Sequence, residues 1–324
     1  MNKYFLKIIF ISLILPFFSI TFIFSEDKDQ PVIAFIDSYH EGYSWSDRIL
    51  RGVEDVLSVE SVSLRVYRMD TKRNPGEQYK SAEGRRVRDS IIADEPDVII
   101  ASDDNASKYV IEPFFKDSHI PVVFCGVNWD AGIYGYPYDN SVGMVEVNMI
   151  TELINQLSAF SPSYSGRLGY LASDTYTERN EADYYKIKFG IKLFEERYVD
   201  SFEQWKEAFL EIQEKVDILI VGTIVISDFD QIEAEQFVLD NIKIPTGVLN
   251  GFLMPYALLG YLKVPEELGI WSAQTALQII NGKPVSGISD TTNKLSDLLL
   301  NLKIADRLDI VFKTDLLKYA EILR

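Results

Sequence analysis

The sequence predicts an α/β fold built from two units of parallel β-sheet covered by helices. Short, wholly apolar runs at residues 32–36 and 122–125 are typical of strands that are buried on both faces. Amphipathic segments separate such runs, which gives an alternating order of strands and helices. A second series of the same kind follows the first, and 324 residues are enough for about two domains.

The first unit is defined by four strand-like and three helix-like segments. Its first helix is expected to begin at a capping-box-like pair, Ser44 and Asp47, and to carry apolar residues on one face. A turn at Pro75 and Gly76 precedes the second helix. The strands are expected at residues 32–36, 64–69, 98–101 and 122–125, and the later helices at 77–93 and 105–116.

The second unit repeats this alternation without a close sequence repeat. Strands are expected at residues 142–145, 168–171, 218–221 and 247–249, and helices at 151–160 and 180–196. A further helix carries Phe202, Trp205, Phe209 and Ile212 on one face. The apolar helix at residues 266–280 ends at Gly282 and Pro284, and residues 294–324 mix strand and helix.

The N-terminus has the features of a targeting segment. Lys3 and Lys7 precede an apolar run at residues 8–24, and Ser25 is followed by four charged residues. This pattern predicts a secretory signal peptide at residues 1–25, with an uncleaved membrane anchor as the alternative. Cys125 is the single cysteine, so no intrachain disulfide can form. Export without disulfides fits a bacterial periplasmic protein.

The composition excludes several classes of function. A formal net charge of −17 would repel a phosphate backbone, so nucleic acid is not an expected partner. Two histidines and one cysteine are too few for the common multi-His or multi-Cys metal sites. No metal and no cofactor are expected.

The segment at residues 36–45 carries an unusual density of polar and aromatic side chains. It contains Tyr39, His40, Tyr43 and Trp45, and it joins the first strand to the first helix. Ligand contacts in open α/β sheets lie at such junctions. The alternative is a polar loop whose aromatic rings pack on the neighbouring helix.

Residues 37–45 resemble the opening motif of bacterial periplasmic substrate-binding proteins of ABC transporters. Three further segments resemble this family in the same order, so the resemblance extends over most of the chain after the signal segment. These segments are residues 103–106, residues 121–128 and residues 254–261.

This resemblance implies a type I periplasmic-binding-protein fold, in which three crossover strands join two lobes and the ligand lies between them. Lobe 1 is then expected at residues 31–144 plus 264–290, and lobe 2 at 145–263 plus 291–324. The crossovers are expected near residues 143–146, 260–264 and 289–293.

The carboxyl ends of parallel strands from both lobes should line the cleft. Some of these residues have structural alternatives: one of Asp103 and Asp104 can cap a helix, and Asn128 can order its own loop. His119, at the other edge of the sheet, is interpreted as structural or solvated. The candidate ligand-binding residues are Ser38, Tyr39, His40, Asp103, Asp104, Asn105, Gly126, Asn128, Trp129, Asp174, Tyr176, Thr223, Asn250 and Met254.

Most candidate residues are acidic, amide, hydroxyl or aromatic, and no arginine or lysine is found among the strand-end positions. A multiply anionic ligand would normally need such a cation. A small polar organic molecule fits better, and an amino acid is favoured, with carboxylates for its amine and helix N-termini for its carboxylate.

The expected function is therefore capture of a small solute and its delivery to a membrane permease of an ABC importer. The protein is expected to be a monomer that closes by a hinge, and not an enzyme. One alternative is a sensory protein that presents its ligand to a separate receptor or kinase. A remote alternative is a hydrolase that uses His40 with Asp103 or Asp104, although no nucleophile motif accompanies them.

Overall fold

The structure is a computed structural model, and it describes residues 30–324. The expected signal segment at residues 1–25 lies outside the described residues. Within the described range, none of the helices has the length and apolar character needed to cross a membrane. The described chain forms two β-sheets with flanking helices, which confirms the predicted α/β class.

The first sheet contains six strands, all parallel, in the order β11-β5-β4-β3-β1-β2. Its central strands are fully buried, as their apolar sequences predict. Its strands are β1 (Val32–Asp37), β2 (Ser63–Arg68), β3 (Val98–Ser102), β4 (Val122–Asn128), β5 (Ser141–Glu146) and β11 (Thr291–Thr292). Its helices are α1 (Ser44–Leu57), α2 (Glu77–Asp94), α3 (Asp103–Ala106), α4 (Glu112–Phe114) and α9 (Pro265–Ile280), with a π-helical turn at Ser107–Ile111 between α3 and α4.

The second sheet contains seven strands in the order β13-β12-β10-β9-β8-β6-β7. The pairing of β10 with β12 is antiparallel, and the other recorded pairs in this sheet are parallel. Its strands are β6 (Leu168–Ser173), β7 (Leu193–Val199), β8 (Ile218–Val221), β9 (Thr246–Val248), β10 (Leu259–Lys263), β12 (Ser296–Asn301) and β13 (Ala320–Leu323). Its helices are α5 (Ile150–Ser158), α6 (Tyr176–Phe189), α7 (Phe202–Gln213), α8 (Gln231–Asn241), α10 (Leu302–Arg307) and α11 (Thr314–Leu317).

Within the described residues the chain passes between the two sheets three times. It leaves the first sheet after β5, returns through α9 after β10, and crosses again between β11 and β12. The expected three connections between two sheets are therefore confirmed. Because both sheets are dominated by parallel strands, each presents the carboxyl ends of those strands along one edge.

Helices α1 and α9 pack against each other with almost no space between their backbones. A Cβ atom added to Gly269 would lie 1.9 Å from the carbonyl oxygen of Ile49, and one added to Gly52 would lie 2.4 Å from that of Glu266. Only glycine permits so close an approach. This contact fixes α9, which follows the second sheet in the chain, to the first sheet.

Some local predictions were wrong. The strand expected in the second unit at residues 142–145 is β5 of the first sheet. Ser44 does not cap α1: the cap position is Tyr43, and the Asp47 carboxylate accepts a hydrogen bond of 2.8 Å from the Gly42 N–H. The helix expected at residues 180–196 starts earlier and ends at Phe189, because Gly190 adopts a left-handed conformation with φ of 65°. Strand β7 follows, at the edge of the second sheet.

Candidate functional site

A cavity of about 410 Å³ lies where the carboxyl ends of strands from the two sheets meet. On the side of the first sheet, the cavity is lined by the ends of β3 and β4 and the loops that follow them. On the side of the second sheet, it is lined by α6 and by Asn250, two residues beyond β9. The crossovers contribute Asn148 and Lys263. The lining residues are Asp104, Asn128, Trp129, Ile133, Tyr134, Asn148, Tyr176, Thr177, Asn180, Glu181, Tyr184, Asn250 and Lys263.

Five candidate residues from the sequence line this cavity: Asp104, Asn128, Trp129, Tyr176 and Asn250. Asn128 donates a hydrogen bond of 2.8 Å from Nδ2 to Asp104 Oδ2, which orients both side chains. The strand-end rule therefore brings together residues that lie up to 146 positions apart in the chain.

Three more candidates lie directly beside the cavity-lining residues. The Tyr39 hydroxyl donates a hydrogen bond of 2.9 Å to Asp103 Oδ1. A Cβ atom added to Gly126 would lie 3.4 Å from the backbone nitrogen of Asp103. Tyr39, Asp103 and Gly126 lie next to Asp104 or to each other, and they do not themselves line the cavity.

Ser38, His40 and Asn105 hold the strand-end loops together and do not line the cavity. The buried Ser38 hydroxyl donates to the Ser102 carbonyl oxygen at 2.7 Å and accepts from the Ala106 N–H at 2.8 Å. Asn105 Nδ2 donates to the Thr71 hydroxyl at 2.9 Å.

His40 lies with its Nδ1 3.5 Å from Asp70 Oδ1. The cavity lining does not include it, and Asp103 is hydrogen-bonded to Tyr39 instead. The structure therefore does not bring His40 together with Asp103 or Asp104 in the way that the hydrolase alternative requires.

Asp174, Thr223 and Met254 also lie off the cavity. Asp174 is exposed and pairs with Arg179 at 2.7 Å. The Thr223 N–H donates to Glu178 at 2.9 Å, and its hydroxyl accepts a long hydrogen bond of 3.4 Å from Asn250. Met254 is 2% exposed in the core of the second sheet, because the 3₁₀ turn after β9 directs its side chain inward.

The sequence interpretation missed the face of α6 that closes the cavity. Tyr176, Asn180 and Tyr184 recur at intervals of four residues, which places them on one face of a helix. Thr177 and Glu181 form the adjacent row with the same spacing. This periodicity was visible in the sequence, but the helix was expected to start only at residue 180.

Lys263 is a basic side chain in the cavity wall that the selected strand-end positions did not include. It is the last residue of β10, it lines the cavity, and its ammonium group donates a hydrogen bond to Glu146 at the end of β5. The sequence placed residues 260–264 in a crossover and not at a strand end that faces the ligand, so Lys263 was overlooked.

Burial dominates the electrostatics of the three acids on the first-sheet side. It raises the pKa of Asp103 well above its ordinary value, and the nearby Asp104 and Glu146 carboxylates raise it further. Burial also raises the pKa of Asp104, while hydrogen bonds from Asn128 and Tyr134 oppose the rise. The pKa of Glu146 is raised by burial and lowered by Lys263.

Glu181 is the acid that the second sheet contributes. Burial, and then the charge of Glu178, raise the pKa of Glu181 from 4.5 to about 7. Hydrogen bonds from Tyr185 and Asn148 oppose this rise. The cavity therefore has a carboxyl group on each side, Asp104 and Glu181. Burial raises the pKa of each, although the positive charge of Lys263 lowers that of Glu181.

Aromatic rings connect the loop after β4 to α6. The Trp129 ring stacks on Tyr184 with centroids 5.3 Å apart and planes 10° apart, and it meets the edge of Tyr185 at 5.6 Å. Asp130 lies 3.6 Å from Lys188 of α6. Trp129 also lines a second cavity, of about 450 Å³, together with Asp130 and Lys188.

The backbone on the first-sheet side is strained. Asp103 and Trp129 have φ values of 79° and 63°, and Gly126 between them has 69°. Such values are unfavourable for non-glycine residues and are concentrated at sites where a side chain must be held in a fixed direction.

The comparisons with known proteins identify the family. The family model described as ABC transporter substrate binding protein matches residues 45–323. The chain therefore belongs to the ABC transporter substrate-binding protein family, and this family is one of binding proteins and not of enzymes. Among curated proteins, no matching sequence was found.

Solved structures with the same fold cover nearly the whole described chain. The ligand-free, open structure of a substrate binding protein with adhesive properties from Clostridium difficile has a TM-score of 0.69 and 18% identity, and the match covers 91% of this chain and 99% of that one. The ABC domain from Streptococcus pneumonia in complex with L-Trp has a TM-score of 0.56 and 16% identity, with coverages of 91% and 100%. At these identities the likeness establishes the fold.

Proposed function

We propose that the protein is the extracytoplasmic solute-binding protein of an ABC importer and that it captures an amino acid in the 410 Å³ cavity. The ligand is held between lobe 1, at residues 31–144 plus 264–290, and lobe 2, at residues 145–263 plus 291–324. Closure of the lobes then presents the loaded protein, a monomer, to a membrane permease.

The observation that carries this proposal is the composition of the cavity wall. Asp104 and Glu181 offer carboxyl groups to a ligand amine from opposite sides, and four asparagines offer donors and acceptors: Asn128, Asn148, Asn180 and Asn250. Trp129, Tyr134, Tyr176 and Tyr184 supply aromatic surface for an apolar side chain or for cation–π contact with the amine. The L-Trp complex of the related pneumococcal domain makes L-tryptophan a natural first probe.

The test is a calorimetric and thermal-melting screen of residues 30–324 against the twenty amino acids, with sugars, nucleosides and polyamines as competing classes. A ligand at a hundred times its dissociation constant stabilises the fold by about 2.7 kcal/mol. We expect an amino acid to raise the melting temperature. Binding by sugars or nucleosides alone would overturn the amino-acid assignment.

Asp104→Asn and Asp174→Asn form a matched pair of variants for this screen. Both aspartates follow a strand end, but only Asp104 lines the cavity. Loss of a charge-assisted hydrogen bond to the ligand amine should weaken binding by Asp104→Asn about tenfold or more. Asp174→Asn should bind as the wild type does, and equal losses in the two variants would contradict the proposed site.

A further inference from the structure

Lys263 and Glu146 form a buried ion pair at the point where two of the three crossovers meet. Glu146 ends β5 on the first crossover, and Lys263 ends β10 on the second. Their side chains are 6% and 16% exposed, and the Lys263 ammonium group donates a hydrogen bond to Glu146 Oε1. The pair connects the two crossovers, and loss of either partner would leave the other charge buried and uncompensated.

The third crossover is tied to the first by a separate set of hydrogen bonds. Asn293 accepts from the Val147 N–H at 2.7 Å and donates to the Val147 carbonyl oxygen at 3.0 Å. Val147 directly follows Glu146. Lys263 is therefore linked to the third crossover through two adjacent residues, Glu146 and Val147.

Lys263 has donor capacity that the protein does not use. An ammonium group has three N–H donors. In the part of the chain that the structure describes, one of them is used by Glu146, and the Trp45 ring lies 5.3 Å from Nζ. Among the cavity-lining residues that the structure describes, Lys263 is the one with a basic side chain, and Asp104 and Glu181 are the ones with acidic side chains.

We propose that Lys263 binds the carboxylate of the ligand and thereby selects amino acids over the corresponding amines. This inference rests on the proposed amino-acid function. The ligand carboxylate shares the Lys263 ammonium with Glu146, while the ligand amine faces Asp104 and Glu181. The ligand thus contacts the ion pair that joins the crossovers, which couples occupancy of the cavity to the hinge.

The decisive measurement compares L-tryptophan with tryptamine, which lacks the carboxylate, by calorimetry on residues 30–324. Lys263→Gln should weaken L-tryptophan binding about tenfold or more and leave tryptamine binding unchanged or stronger. Glu146→Gln should act in the opposite direction and increase the preference for L-tryptophan, because it removes the acid that competes for Lys263. Lys188→Gln, which alters a lysine of the second cavity, should leave the ratio unchanged.

The outcomes separate this inference from the proposed function. If the wild type binds no amino acid, the proposed function fails and the carboxylate contact fails with it. If the wild type binds amino acids but Lys263→Gln weakens both probes equally, Lys263 is only a structural residue and this inference alone is overturned. If Lys263→Gln fails to fold, the double variant Glu146→Gln/Lys263→Gln replaces it, because it removes both charges. This variant should also lose the preference for L-tryptophan. Retention of that preference would overturn the inference.

Discussion

Glu181 makes the stability of the protein depend on pH. Its pKa in the folded protein is about 7, above the ordinary value of 4.5, so the folded state holds a proton that the unfolded state has released. The stabilisation linked to this proton is complete below pH 4.5 and is lost as the pH rises through 7. In Glu181→Gln this loss is absent, so from pH 5 to pH 8 the variant should gain roughly 2 kcal/mol of unfolding free energy relative to the wild type.

Chemical denaturation at pH 5 and pH 8 measures this difference directly. Asp103, Asp104 and Glu146 also have raised pKa values, but they are common to both proteins and cancel in the comparison. Asp183→Asn, on an exposed part of the same helix, controls for the general effect of removing a negative charge. A pH-independent difference between wild type and Glu181→Gln would show that Glu181 ionises normally in the folded protein.

At the residue scale, the sequence predicted the side chains that follow directly from strand ends. Asn128 ends β4, and Asp104 and Asn250 lie two residues beyond β3 and β9. They line the cavity because a parallel strand fixes where its last residue and the next two lie. Met254 does not line the cavity, because it lies several residues beyond β9 in a 3₁₀ turn where it is buried. Lys263 could not be recognised without knowing that Glu146 comes from another crossover, since that pairing is tertiary.

At the element scale, the contact between α1 and α9 depends on the absence of side chains. Gly269→Ala would place a Cβ atom 1.9 Å from the Ile49 carbonyl oxygen, a backbone atom that cannot move independently of its helix. We expect the two helices to be forced apart, with a loss of about 3 kcal/mol in unfolding free energy. Gly76→Ala is the control, because its Cβ atom would meet nothing within 4 Å and its φ is −67°. Equal stability of the two variants would refute this account of the packing.

Helix α6 shows why elements near the cleft are harder to predict than those in the core. Its apolar periodicity is weak, because one face is exposed and another lines the polar cavity. Its true start is set by the Thr175 hydroxyl, which accepts from the Glu178 N–H at 3.2 Å, and its end by Gly190. By contrast, the face of α7 that carries Phe202, Trp205, Phe209 and Ile212 was predicted from the sequence, because a buried face leaves a clear apolar pattern.

At the scale of the whole molecule, the lobes should move closer together when the ligand binds. The contacts between the loop after β4 and α6 are limited and partly exposed: the side chains of Lys188 and Asp130 are 47% and 41% exposed. An ion pair of that kind contributes little to stability, so it does not oppose rotation about the crossovers. Small-angle X-ray scattering should therefore record a smaller radius of gyration with saturating L-tryptophan. Asp104→Asn should need about tenfold more ligand for the same change, and an unchanged radius in the wild type would contradict closure.

The position of Trp129 gives the molecule an intrinsic optical signal. Its indole forms part of both cavities and lies flat against Tyr184, so its surroundings change if either cavity is filled or the ring on the opposite lobe moves. Trp205 is fully buried and stacks on Phe209 away from both cavities, so ligand binding should not change its surroundings. With a ligand that does not itself fluoresce, light emitted by the unlabelled protein should thus report occupancy in real time. Substituting Trp129 with phenylalanine should remove the contribution of Trp129 to the change in emission, while Trp45, whose ring lies 5.3 Å from Lys263 Nζ, and Trp205 continue to fluoresce.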